Sequence, residues 1–351
     1  MRRSAVPAVR IPVAVAVLTL AATACGSEGT RALTPAEDVP AVDAVHRASA
    51  APTDAPTDVP APKAAPPAVL LPAGSARRTV SPRIAPGTGQ TVGVGQPLAV
   101  VFKGQKVDKT LRAGIEGSLK VTTTGSGGPL TGAWHWAEAK GDTLVHFRPR
   151  TYWPSGTRVT LDARLARVKL ADGTAADRDR KVSFAVGDSM VNKVDLAAHT
   201  LTVVRNGEVA RVIPVSGGEE RFKTREGIKT ILAKDGRVIM DSRTIGIPRD
   251  SPDGYYDPYD WSMRETVSGE YIHAAPDNAA SFGKENVSHG CIGMSDSDAK
   301  WLYGQSRVGD VVEVTGTTGK PMDHFGNGYG DWNLTWEQWL AGSELGEQPT
   351  A

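Results

Sequence analysis

The sequence predicts a mainly β protein with two successive β-rich domains behind a long leader, and three observations carry that prediction. From about residue 87 onward, short apolar runs recur roughly every ten to fifteen residues. Turns rich in Gly, Pro and Asn separate them, and only two short stretches near the C-terminus carry a helical apolar pattern. At 351 residues the chain has room for two modest domains plus unstructured segments. Its formal net charge of +1 leaves no electrostatic footprint for nucleic acid.

Residues 1–24 read as a signal peptide. Arg2, Arg3 and Arg10 form a basic start, and the apolar run Ile11–Ala24 is too short to span a bilayer but suits a secretory segment. It ends Ala22-Thr23-Ala24-Cys25-Gly26-Ser27, which resembles a bacterial lipoprotein signal, in which the cysteine becomes the lipidated first residue. Ala22 stands where Leu is usual, so simple cleavage and secretion stays open beside a membrane anchor at Cys25. Residues 25–86 are Ala/Pro/Thr/Asp-rich, with Ala-Pro-Thr-Asp repeated at 51–58. Such a segment buries too little apolar surface to offset its ordering entropy, and its prolines extend it. It reads as a disordered linker.

Residues 87–187 read as a small antiparallel sandwich. Strands are expected at Pro97–Phe102, Ser118–Thr123, Gly132–Trp136, Thr143–Arg148, Arg158–Ala163 and Lys181–Val186, punctuated by Gly127-Gly128, Pro154-Ser155-Gly156 and Asp172-Gly173. No Cys…Trp…Cys framework is present, so the domain is Ig-like rather than a true immunoglobulin domain. Trp134, Trp136 and Trp153 are expected to pack in its core, with a ligand surface as the alternative.

Residues 188–315 form the second domain. Lys193–Leu196, Thr200–Arg205 and Glu208–Val215 are expected strands, the last two joined by an Asn206-Gly207 hairpin turn. Further strands are expected at Gly227–Ala233, Val238–Asp241, Glu270–His273 and Asp310–Val314. Ser295–Gln305 reads as a short helix with Ser295 as N-cap and Asp296 and Asp298 in its first turn. In the extension 316–351, Trp332, Trp336, Trp339 and Leu340 share one helical face, expected to dock on the domain.

The chemistry concentrates in Ser288-His289-Gly290-Cys291, with His273 fourteen intervening residues upstream. There are only two cysteines, so lipidation of Cys25 would leave Cys291 a lone thiol in an exported protein. An acyl-transfer thiol needs a base, a group that orients the base, and N–H donors facing the oxyanion. His273 can be the base, and the backbone around Gly290 and Cys291 can supply the donors. A neighbouring imidazole or helix N-terminus can lower such a thiol below its usual value of about 8.5. Alternatively, His273, His289 and Cys291 could ligate zinc, though no second cysteine and no carboxylate stands at ligand spacing. His289 could equally be a structural histidine.

This motif resembles the signature of the L,D-transpeptidases that cross-link peptidoglycan, specifically the actinobacterial type with an Ig-like domain and a Trp-rich C-terminal extension. Gly89–Pro97, Ser183–Asp188, Ile239–Ser242, Asp260-Trp261, Tyr271–His273 and Gly330–Asn333 extend the resemblance over residues 87–342. It implies a cysteine acyltransferase without cofactor or metal, with Cys291 as nucleophile and His273 as general base, oriented by the Ala274 carbonyl. Tyr255 lies near the oxyanion hole, Ser288 and His289 shape the pocket, and Met240–Gly254 forms a flap over the cleft. Donor tetrapeptide stems would yield 3→3-type cross-links with release of D-Ala, and carbapenems would acylate Cys291. The implied setting is extracytoplasmic, lipid-anchored and in the cell wall. Gly293 departs from the Asn many members carry two positions after the cysteine, which bears on loop rigidity or substrate preference. A non-catalytic wall-binding lipoprotein and a papain-like or zinc amidase are the rival classes.

Overall fold

The computed structural model describes residues 63–350, so the signal-like segment and Cys25 lie outside the described residues. The sandwich is built on two main sheets. One orders Thr91–Val92, Arg180–Val186, Thr157–Ala163 and Leu119–Gly125; the other orders Arg83–Ala85, Leu98–Phe102, Asp142–Pro149, Thr131–Ala139 and Gln348–Pro349. A third, three-stranded sheet orders Arg78–Val80, Thr174–Ala176 and Lys169–Ala171. The linker expected to reach residue 86 therefore gives way earlier, because Arg78–Val80 and Arg83–Ala85 are paired strands. Three-residue strands are too short to show a period, and their partners lie far along the chain.

Trp134, Trp136 and Trp153 are all buried in the sandwich core among Phe102, Phe147 and Phe184, as expected of packing residues. Polar needs are met as well: Trp153 Nε1 donates to the Gln96 carbonyl at 2.8 Å and Trp136 Nε1 to Glu116 at 2.9 Å. A short helix, Arg112–Gly117, escaped sequence reading because six residues carry little periodicity.

The second domain also has two sheets. In the first, Met190–Asp195 lies between Thr200–Arg205 and Val311–Thr315, with Glu208–Pro214 and Gly227–Thr230 at the edges. Asn206 and Gly207 both take positive φ, 50° and 89°, as the two-residue hairpin turn requires. The second orders Ala233–Asp241, Tyr256–Arg264, Tyr271–Ala274 and Ile292–Met294. The single strand expected over Gly227–Ala233 is thus split, the chain leaving one sheet after Thr230 and entering the other at Ala233. The helix Asp296–Gln305 follows, with Ser295 Oγ accepting the Asp298 N–H.

The C-terminal tryptophans do not share one helix. Asp331–Asn333 is a 3₁₀ turn, and a separate helix, Trp336–Ala341, starts from a capping box at Thr335 and Gln338. They converge on a different centre, the buried Arg148 guanidinium, which lies 4.7, 5.3 and 4.5 Å from the rings of Trp332, Trp336 and Trp339. Arg148 also donates to the Leu334 carbonyl at 2.9 Å.

Candidate active site

Tyr271–Ala274 is buried along its whole length and runs parallel to Ile292–Met294, with His273 directly opposite Gly293. Facing positions share a side of the sheet and side chains alternate along a strand. Cys291, two residues before Gly293, therefore emerges on the His273 side. Gly290, at φ 115°, makes the approach that L side chains resist. Ser288 Oγ holds the turn shut, donating to the Cys291 carbonyl at 2.6 Å and accepting the Gly290 N–H at 3.1 Å. One of the N–H groups expected to face an oxyanion is thus already engaged.

His273 Nδ1 lies 2.7 Å from the Ala274 carbonyl. A carbonyl only accepts, so Nδ1 carries the proton and Nε2 keeps the basic lone pair. Burial pushes the imidazole down to about 4, against the opposing pull of that hydrogen bond. Tyr259 packs edge-on against the ring at 4.5 Å.

The Cys291 S–H donates to the Gly269 carbonyl at 3.7 Å. Burial pushes this thiol up to about 12; the Tyr271 N–H opposes that, while the Glu270 and Glu265 carboxylates reinforce it. The expectation of a lowered thiol is reversed. Desolvation outweighs the neighbouring donors, and the helix begins only at Asp296, beyond the intervening strand. At neutral pH both groups therefore rest uncharged, as thiol and as imidazole.

Cys291 opens into a cavity of about 750 Å³ shared with His289, Phe222, Tyr255, Ile245 and Arg225. His289 is sandwiched by Phe222 at 4.5 Å and Tyr255 at 5.0 Å, and its buried Nε2 has no partner among the described residues. Burial also raises Tyr255, to about 12. The expected flap is a lobe between Ala233–Asp241 and Tyr256–Arg264 whose residues 244–247 line the cavity, while Met240 is buried at its root. Asp241 fastens the lobe, accepting from Arg243 at 2.8 Å and Arg249 at 2.7 Å. Across the mouth, Arg221 grips Asp253 through both oxygens at 2.8 and 2.9 Å.

Sequence reading missed a buried charged set beside the thiol. Lys229 Nζ lies 2.9 Å from Glu270 and 3.5 Å from Glu265, and Glu270 also takes the Arg225 guanidinium at 3.1 Å. The available signal was a lysine inside the strand Gly227–Thr230 and two glutamates in the short connection between Tyr256–Arg264 and Tyr271–Ala274. Among the described residues, no three His, Cys, Asp or Glu side chains converge as a metal site requires.

Residues 190–314 match the L,D-transpeptidase catalytic domain and residues 67–169 a bacterial Ig domain. The chain is 36% identical over 262 residues to L,D-transpeptidase 2 of Mycobacterium tuberculosis, a match covering 75% of this chain and 62% of that protein. It is 37% identical over 233 residues to L,D-transpeptidase 1 of the same species, covering 66% and 84%. The solved structure of LD transpeptidase LdtMt1 in complex with imipenem aligns with a TM-score of 0.56 at 34% identity, covering 67% of this chain and 99% of that one.

Proposed function

The chain belongs to the L,D-transpeptidase family, and from that premise we propose that it cross-links peptidoglycan by acyl transfer through Cys291. The observation that supports the reading is the register His273 opposite Gly293, with Cys291 entering that strand two residues earlier. Cys291 Sγ attacks the carbonyl of the third residue of a donor tetrapeptide stem while its proton passes to His273 Nε2. The C–N bond to D-Ala breaks, the leaving nitrogen takes that proton, and a thioester remains. A side-chain amine of a second stem, such as diaminopimelate, then attacks the thioester. His273 takes its proton and returns one to the departing sulfur, giving a 3→3-type cross-link. Attack by water instead would give a carboxypeptidase.

The neutral resting pair fits this role, because His273 stays unprotonated and able to accept the thiol proton at neutral pH. Cys291 N–H is one oxyanion donor; Gly290 N–H would be a second if Ser288 turned away. Ser288 would also set the loop, and His289 and Tyr255 would line the donor pocket. Lipidation of Cys25 would anchor the chain outside the cytoplasmic membrane, with the Pro-rich segment carrying the catalytic domain into the wall. Imipenem bound to the LdtMt1 neighbour supports carbapenem acylation here. The test is intact-protein mass spectrometry after carbapenem treatment, beside Cys291→Ala, together with cross-linking of purified stems. One adduct on the unmodified chain, absent from the variant, is expected. A variant that still cross-links would overturn the assignment.

A further inference from the structure

Lys229 and Glu265 have no exposed side-chain surface and Glu270 almost none, yet the proposed acyl transfer uses none of them. Glu270 is shared between two cations: one oxygen meets Lys229 Nζ at 2.9 Å, and the other accepts the Arg225 backbone N–H at 3.0 Å and its Nη1 at 3.1 Å. The carboxyl oxygens of Glu265 have no hydrogen-bond partner among the described residues, and burial pushes that group up toward its neutral form. Glu270 is thus the carboxylate through which Lys229 and Arg225 are joined.

Lys229 has no exposed surface, so Arg225 is the cation of this set that lines the cavity holding Cys291, beside its anchor Glu270. Asp323 stands 3.6 Å from Arg225 Nε but is 54% exposed, so water screens it and the pair is weak. Arg225 Nη2 has no hydrogen-bond partner among the described residues. The other arginine of the cavity is spent: Arg221 is held by Asp253 and Glu219. Lys223 Nζ lies at the rim between Glu220 and Thr318, and Lys320 sits exposed there too.

The anchor of this guanidinium adjoins the reacting atom. Glu270 follows Gly269, whose carbonyl meets the Cys291 thiol, and a Cβ built on Gly290 would lie 3.8 Å from Glu270 Oε1. We infer that Arg225, fixed by Glu270, binds the carboxylate of the donor's leaving residue and makes the enzyme selective for stems ending in a free D-amino acid. This rests on the acyl-transfer reading above. In such a donor, only a nitrogen and one carbon separate the attacked carbonyl from that carboxylate, and every other carboxylate of the stem lies further along. A carbapenem repeats the same connectivity, from lactam carbonyl through nitrogen and carbon to carboxylate. A planar guanidinium held on one edge presents its free edge to such a group as a two-pronged donor.

The experiment compares, on the full chain, tetrapeptide donors ending in D-Ala carboxylate and in D-Ala amide, and imipenem with its carboxylate ester. A charge-assisted contact of this kind corresponds to roughly 10- to 100-fold in kcat/KM or acylation rate in favour of the acid. Arg225→Gln is expected to bring the ratio close to one by loss on the acid form, and Arg225→Lys to keep part of it. Equal handling of acid and amide by the unmodified chain overturns the inference without any variant. So does Arg225→Gln with its preference intact. Failure of imipenem, its ester and both donors to modify Cys291 in the unmodified chain would instead sink the acyl-transfer reading, and this inference with it.

Discussion

Asn333 clasps Ile228 by both of its backbone polar groups, its Oδ1 accepting the Ile228 N–H at 2.7 Å and its Nδ2 donating to the Ile228 carbonyl at 2.7 Å. That strand carries Lys229. The same extension reaches the sandwich through Trp332 Nε1 to the Gly95 carbonyl at 2.7 Å and Trp339 Nε1 to the Ala133 carbonyl at 2.9 Å. The C-terminal segment is a strap holding both domains.

Asn333→Ala removes three side-chain hydrogen bonds, two to Ile228 and one to the Gly330 carbonyl, and leaves both Ile228 backbone groups short of partners. The expected cost is about 1–3 kcal/mol. Denaturant unfolding reads it as a lowered midpoint at constant slope, and an unchanged midpoint would show that the clasp is not stabilising.

The pH dependence follows from burial of His273. Its folded value, about 4, lies below the unfolded value near 6.5, so its contribution to stability is fully present above about 6.5 and lost as pH falls through about 4. The base likewise stays available down to that range. The acid limb of carbapenem acylation is expected near pH 4, and a limb near 6.5 would contradict the buried geometry. At the other end, iodoacetamide should alkylate the free enzyme slowly at pH 8.5, where an ordinary thiol is about half ionised.

Gly293 tests the departure from the family pattern. A Cβ there would stand 3.0 Å from the Ala275 Cβ, so that neighbour must give way. Gly293→Asn is expected to destabilise by about 1–3 kcal/mol, as overpacking does, while Cys291 remains acylatable. Adding Ala275→Gly should recover part of the loss in a thermal melt; a single variant as stable as the parent would refute the crowding.

Arg221 and Asp253 join the lobe to the opposite wall of the cavity. An exposed pair of this kind contributes about 0–1 kcal/mol to stability, so Arg221→Ala should leave the melting temperature nearly unchanged. Its expected effect is on access, a several-fold change in KM that high salt reproduces in the parent and that exchanging the two charges partly restores. No change in KM would mean that the lobe is positioned by Asp241 alone.

Local pattern made much of this legible. The hairpin at Asn206-Gly207, the Ser295-capped helix and the strand carrying His273 are each written in a few adjacent residues, as is the Ser288–Cys291 turn. The strand Tyr256–Arg264 was missed because it is bulged and half exposed, with Trp261 at a positive φ of 56° that no apolar alternation signals. Spacing alone puts Trp332 to Leu340 on one helical face, because it cannot reveal the break at Leu334-Thr335.

The sequence by itself determined the mainly β class and the family, and it singled out the thiol and imidazole proposed as nucleophile and base, since these depend on residue types and spacings along the chain. Tertiary structure alone decided the rest. Whether the thiol is lowered or raised depends on desolvation and on charges from Lys229, Glu265 and Glu270, which converge from three separate strands and loops. Which cation faces the cavity depends on which carboxylates have already claimed the others. Electrostatic energy is set by distance and burial in space, and neither quantity is written in the order of the residues.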